Sequence, residues 1–204
     1  MFFFIISLLL AGGNLAPLDY YPLNLGDQWE YQVTSVNKKE NFVMKVMVEP
    51  SQVYEGKMYA VLTQQDKRGK MRSFICSDEK GVYLKQTLLS KKFTPEVSAV
   101  HLPAIPVIIF PLEKGEKFHW EGKLKVAWIN KAIVMDGEIL GEEEITVPAG
   151  SFKCVKIYFK IFKDKKTSDQ YGWYAPRVGQ VKYIGEEYIK LLKSYKTINK
   201  TVKE

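Results

Sequence analysis

The sequence predicts an all-β, mainly antiparallel protein: a large curved sheet or half-open barrel built from two similar strand units, with little helix. Three observations carry that expectation. Bulky and polar residues alternate with period two along most of the chain, as a sheet with one wet face requires. Short turn signals interrupt the alternation at Glu55-Gly56, Asp66-Lys67-Arg68-Gly69, Glu79-Lys80-Gly81, Asp136-Gly137 and Pro148-Ala149-Gly150. One strand lead-in also occurs twice.

The first element is not a strand. Phe2 to Leu10 form an apolar run followed by Ala11-Gly12-Gly13, which is the apolar region and cleavage zone of a secretory signal. The run is shorter than the ~20 apolar residues of a membrane-spanning helix. Residues 1–16 are therefore read as a cleaved signal, in preference to a buried N-terminal element. Leu10-Ala11-Gly12-Gly13 has the outline of a lipoprotein box, but Gly13 occupies the place of the cysteine that would be acylated. Residues 17–204 are expected to form a single β domain of two repeats, about 20–100 and 109–198.

The lead-in follows. Tyr21-Pro22-Leu23 runs through Gly26 and Asp27 to Trp29 and Tyr31, and Phe110-Pro111-Leu112 runs through Gly115 and Glu116 to Phe118 and Trp120. In both, Pro fixes an extended approach and Leu anchors it. Gly takes a turn closed to other residues, and two aromatics at spacing two begin a strand on one face. Strands are predicted over 29–36, 42–48, 57–65, 71–77, 81–88, 117–129, 132–147, 152–161, 168–175, 179–184 and 187–198. Weaker echoes pair the glycine turns at Gly56 and at Pro148-Ala149-Gly150-Ser151-Phe152, and pair Phe74 to Gly81 with Trp173 to Gly179. Residues 89–104 carry charge, Pro and little alternation, so a loop is expected there.

The net charge of +7 is almost all lysine, with Arg68, Arg72 and Arg177 the only arginines. Nucleic-acid readers depend on arginine forks, and these lysines are interleaved with Glu and Asp, so the charge reads as a solvated surface and nucleic-acid binding is not expected. The excess positive charge allows weak attraction to anionic membranes or to acidic partners. Cys76 and Cys154 sit in apolar strand contexts; in an exported protein they could pair, but the preferred reading is two buried small hydrophobes.

Recognisable catalytic machinery is missing. His101 and His119 are the only histidines, and His119, between Phe118 and Trp120, should face away from the side on which those rings pack. No histidine pair has metal-ligand spacing, and there is no Cys-x-x-Cys, nucleophile elbow, P-loop or dinucleotide fingerprint. The acidic run Glu138 to Glu144 reads as a charged strand face. No enzyme, cofactor or metal is expected.

Three segments together resemble a group of exported bacterial β-rich proteins, many of them assigned as lipoproteins. They are Tyr21-Pro22-Leu23 through Gly26 to Trp29, Val147-Pro148-Ala149-Gly150-Ser151-Phe152, and Trp173-Tyr174-Ala175-Pro176 with Val178-Gly179. The resemblance implies secretion to the periplasm or beyond and kinship with lipoprotein-carrier half-barrels (LolA/LolB-like), in which a curved sheet holds acyl chains. It implies no catalytic residue, and ligand-binding residues are not assigned. The functional expectation is a non-enzymatic envelope protein holding a lipid-like or apolar ligand. The alternative is an envelope protein–protein module without a cavity, and a hydrolase ranks last.

Overall fold

The computed structural model describes residues 15–91 and 94–198. Of the signal expected over residues 1–16, only Leu15 and Ala16 fall within that range. A single helical turn, α1 (Pro17–Tyr20), precedes twelve strands. They are β1 (Gln28–Ser35), β2 (Glu40–Tyr54), β3 (Lys57–Asp66), β4 (Gly69–Asp78), β5 (Gly81–Ser90), β6 (Val97–Ile109), β7 (Lys117–Val126), β8 (Ile129–Val147), β9 (Gly150–Lys163), β10 (Lys166–Ala175), β11 (Gly179–Ile184) and β12 (Tyr188–Lys196). Each strand pairs antiparallel with its neighbours in sequence, and β1 pairs with β12, so the sheet is a closed barrel.

Two expectations need correction. The sheet is not half-open: Gln28–Ser35 runs against Tyr188–Lys196 and closes it, which satisfies both edges. Residues 97–104 are strand and not loop. Pro103 and Pro106 argued against a strand, since proline cannot donate to a ladder. They are tolerated because pairing along β6 is interrupted on both edges. Its pairing with β5 skips from Val100 to Ile105, and its pairing with β7 stops at Leu102. Pro103 falls in the skipped stretch, and Pro106 lies where only one edge is paired.

Alternation decides what faces inward. Trp29, Tyr31 and Val33 of β1 are buried while Gln28, Gln32 and Thr34 are exposed, and Phe42, Met44, Val46 and Val48 continue the inner face on β2. Twelve strands enclose a wider space than eight, whose interior side chains just fill. Here the end that carries α1 is filled by folding rings over glycines. A Cβ at Gly137 would lie 2.0 Å from the Phe118 ring, one at Gly122 would lie 2.5 Å from Trp120, and one at Gly172 would lie 2.6 Å from Tyr174. Helix α1 touches β4, β5 and β11 across this end, and Tyr20 packs edge-on against Phe110.

The two lead-ins close the same hydrogen-bond circuit. Gly26 (φ +91°) donates to Val48, Val48 donates to Asp27, and Asp27 donates to Asn24. Gly115 (φ +92°) donates to Ile139, Ile139 donates to Glu116, and Glu116 donates to Glu113. Register shifts follow both: after Glu49 in β2 and after Ile139 in β8.

Candidate functional site

The motif residues singled out in the sequence gather mainly at the α1 end, where they build scaffold. Pro22 is buried, Leu23 half-buried, and a Cβ at Gly179 (φ +92°) would lie 3.3 Å from the Pro22 ring. Trp29 Nε1 donates to the Val178 carbonyl at 2.6 Å, and Tyr31 Oη donates to that of Gln180 at 2.8 Å. In the second lead-in Pro111 is exposed and Leu112 half-buried. Phe118 packs on Phe159, and Trp120 Nε1 donates to the Ala104 carbonyl at 3.1 Å. Pro148 and Gly150 form the β8–β9 turn, and Phe152 packs edge-on against Tyr195. Trp173 lies on the outer face yet is buried, with its indole donating to Glu143 and the Lys156 and Lys182 amines over its ring at 5.0 and 4.7 Å.

The opposite end is open. Its floor and walls are inward residues near the β1–β2, β3–β4, β5–β6 and β11–β12 connections, and they enclose about 500 Å³. Met44, Met71, Leu89 and Tyr188 supply the apolar lining, while Lys38, Asp66 and Arg68 stand at the rim. The Arg68 guanidinium is held by Asp66 at 2.6 Å and covers the Phe42 ring at 4.2 Å. At the α1 end a cavity of about 30 Å³ lies beside Tyr21, Trp29 and Tyr31.

Lys190 lies beneath this chamber. In β12 it pairs with Val33 on one side and Tyr183 on the other, one step deeper than the Tyr188–Ser35 pair that lines the floor. Val33 is fully buried, so the alternation turns Lys190 inward. Its amine stands 4.9 Å over the Tyr183 ring and 5.5 Å from that of Tyr31, within cation–π range. No carboxylate among the described residues pairs with it. Desolvation alone pulls its pKa down to about 8, so it still carries charge at neutral pH. Burial raises the Tyr183 and Tyr188 hydroxyls, so the surrounding rings stay neutral. Tyr183 Oη donates to Gln170 Oε1 at 2.9 Å, which fixes its ring.

A second interior base stands on β6. His101 pairs with Leu124, and its Nδ1 is buried without a partner. Burial, then Lys163 and Lys85, pushes its pKa to about 4, so it is neutral. His119 differs: it is exposed on the outer wall, its ring nitrogens 2.7 Å from Asp136 and 3.0 Å from Glu121, and those carboxylates raise its pKa. With both nitrogens engaged it has none free to act as a base. Cys76 and Cys154 are both free thiols whose pKa burial raises, Cys154 to about 12. They do not join the chamber.

Sequence reasoning missed Lys190, Tyr183 and Tyr188. Their signal was a lysine in phase with Tyr188 and Leu192, but the register against β1 shifts between Glu30 and Tyr31, which leaves Lys193 unpaired and scrambles the alternation.

Comparisons with known proteins bear on the fold. A family model described as DUF3108-like matches residues 122–197, from within β7 to just past β12. A crystal structure of a "putative lipoprotein" from Parabacteroides distasonis is 16% identical, covers 86% of this chain and 97% of its own, and superposes with a TM-score of 0.50. One of a "putative exported protein with YmcC-like fold" from Bacteroides fragilis is 20% identical, covers 86% and 98%, and gives a TM-score of 0.52. No curated protein sequence matches the chain. At these identities the likeness establishes a shared fold.

Proposed function

We propose that this chain is a non-enzymatic, exported envelope protein that holds an amphiphile with an acidic head group in the open half of its barrel. The aliphatic chain would lie against Met44, Met71 and Leu89, and the head group would sit on Lys190. The observation that carries this reading is an inward-facing ammonium with no counter-ion among the described residues, set by its register below a cleft of about 500 Å³. That volume falls in the range of small-molecule sites, which combine an apolar lining with a few placed polar groups. A desolvated charge costs several kcal/mol unless it is paired. A bound carboxylate would supply the missing partner at the place where the strand register puts the amine. Likeness to proteins described as exported and as lipoprotein supports the envelope location, as does the apolar N-terminal run.

Purifying the protein without detergent, extracting it with organic solvent and analysing the extract by mass spectrometry tests the proposal. A near-stoichiometric long-chain acid or acidic lipid is expected from the native protein, and much less from Lys190→Met. An empty extract, together with no uptake of added fatty acid, contradicts it.

A further inference from the structure

The β7–β8 hairpin carries a feature that barrel closure does not need. Its two-residue turn is Ala127-Trp128, and Trp128 is 88% exposed although large apolar side chains are normally covered. The hairpin overhangs β9 on one side, while on the other β6 pairs with β7 as far as Val126. The last β8–β9 pair at this end is Ile133 with Lys163, so Ile129 to Ala132 pair only with β7 and carry the turn about 13 Å further at ~3.3 Å per residue. Ala127 holds a left-handed φ of +51°, which L-residues other than Gly, Asn and Asp seldom adopt. Ile129 beside it is 46% exposed, and Phe162 on the next hairpin is 36% exposed.

The charge around this apex has one dominant sign. Lys123 and Lys125 of β7, and Lys165 and Lys166 at the β9–β10 turn, are all exposed and have no carboxylate in ion-pair range among the described residues. Lys131 and Lys163 stand nearby, and the single acid, Asp164, is engaged by Lys131 at 2.6 Å. Tryptophan prefers the boundary between lipid headgroups and chains. Lysines near an anionic leaflet are drawn to it by its negative surface potential. The exposed apolar groups here, Trp128 and Ile129 with Leu102 and Val97 of β6 and Phe162 of β9, are interspersed with lysines rather than gathered in one apolar face, which favours a lipid surface over a protein partner. The apex also stands at the open end of the barrel.

We infer that the β7–β8 apex docks this protein on an anionic lipid surface, with the Trp128 indole inserted at headgroup level and the lysines of both hairpins against lipid phosphates. The inference does not depend on what the chamber holds. Trp29, Trp120 and Trp173 are 6%, 9% and 4% exposed, so a change in tryptophan emission on binding reports Trp128. The test mixes the full chain with vesicles of phosphatidylcholine alone or with phosphatidylglycerol, at low and high salt. Expected are co-sedimentation with the phosphatidylglycerol vesicles, a blue shift of emission and quenching by lipids brominated in the acyl chain. Trp128→Ala should weaken partitioning about tenfold, and Lys165→Glu with Lys166→Glu should abolish the preference for anionic lipid. Absence of co-sedimentation, or partitioning that Trp128→Ala leaves unchanged, overturns the inference. So does a concentration-dependent blue shift without lipid, which would assign the indole to a second copy of the chain.

Discussion

A lysine turned toward the inside of a barrel loses hydration, and two tyrosine faces return only part of it. Lys190 is in that position, with its pKa lowered from 10.5 to about 8 by burial. Below pH 8 the amine is charged in both folded and unfolded chains, and the fold bears the full cost of burying it. As pH rises from about 8 toward 10.5, the folded protein releases the proton first, the unfolded chain binds more protons, and stability increases. Cys154 and the interior tyrosines work against this, because their folded pKa values are raised and they lose stability at alkaline pH. The difference between two proteins isolates the amine. Urea denaturation at pH 7 and pH 9.5 should show Lys190→Met more stable than the native chain at the lower pH by about 1–3 kcal/mol, and the gap should narrow at the higher. A gap independent of pH would place the amine in water. Nothing in residue type alone marked Lys190, since one lysine among so many looks like surface; only pairing with Val33 and Tyr183 reveals its direction.

At the scale of elements, the strands with clean alternation were legible almost to the residue, β11 (Gly179–Ile184) among them. The glycine–acid turns were legible as well, because a positive φ leaves few alternatives to glycine. Legibility failed where a strand is built against its own composition. β6 contains two prolines and is held by its neighbours, and β12 contains a register shift. The matching circuits at Gly26 and Gly115 support our proposal that β1–β6 and β7–β12 are two copies of one six-strand unit, although the copies differ in detail. Asp27 is fully buried, its carboxylate accepting from the Asn24 amide at 2.9 Å and the Ile198 amide at 2.6 Å. Glu116, its counterpart, is exposed. Asp27→Ala leaves the part-buried Asn24 and Ile198 amides without this acceptor and should cost about 1–2 kcal/mol, whereas Glu116→Ala should change the denaturation midpoint very little. Equal losses at the two positions would mean that the lead-ins are loaded alike.

At the scale of the whole molecule, one large antiparallel sheet was legible, but its closure was not. Closure depends on β1 meeting β12 across the length of the chain, and neither strand's pattern names its partner. Nor did composition show that rings over glycines would crowd the α1 end while a cleft opens at the other. That polarity follows from where the rings lie over glycines and where α1 sits. It places the chamber, Lys190 beneath it and the Trp128 apex at one end, so that a molecule leaving a membrane would meet the mouth directly. The most direct test is calorimetric titration of dodecanoate and dodecanol into the native chain and Lys190→Met. Dodecanoate should bind the native chain in the micromolar range and lose about tenfold or more in the variant, equivalent to ~1.4 kcal/mol, while dodecanol binds both weakly and alike. Dodecanoate heats that are absent, or the same for both proteins, would contradict the assignment of this chamber to an acidic amphiphile.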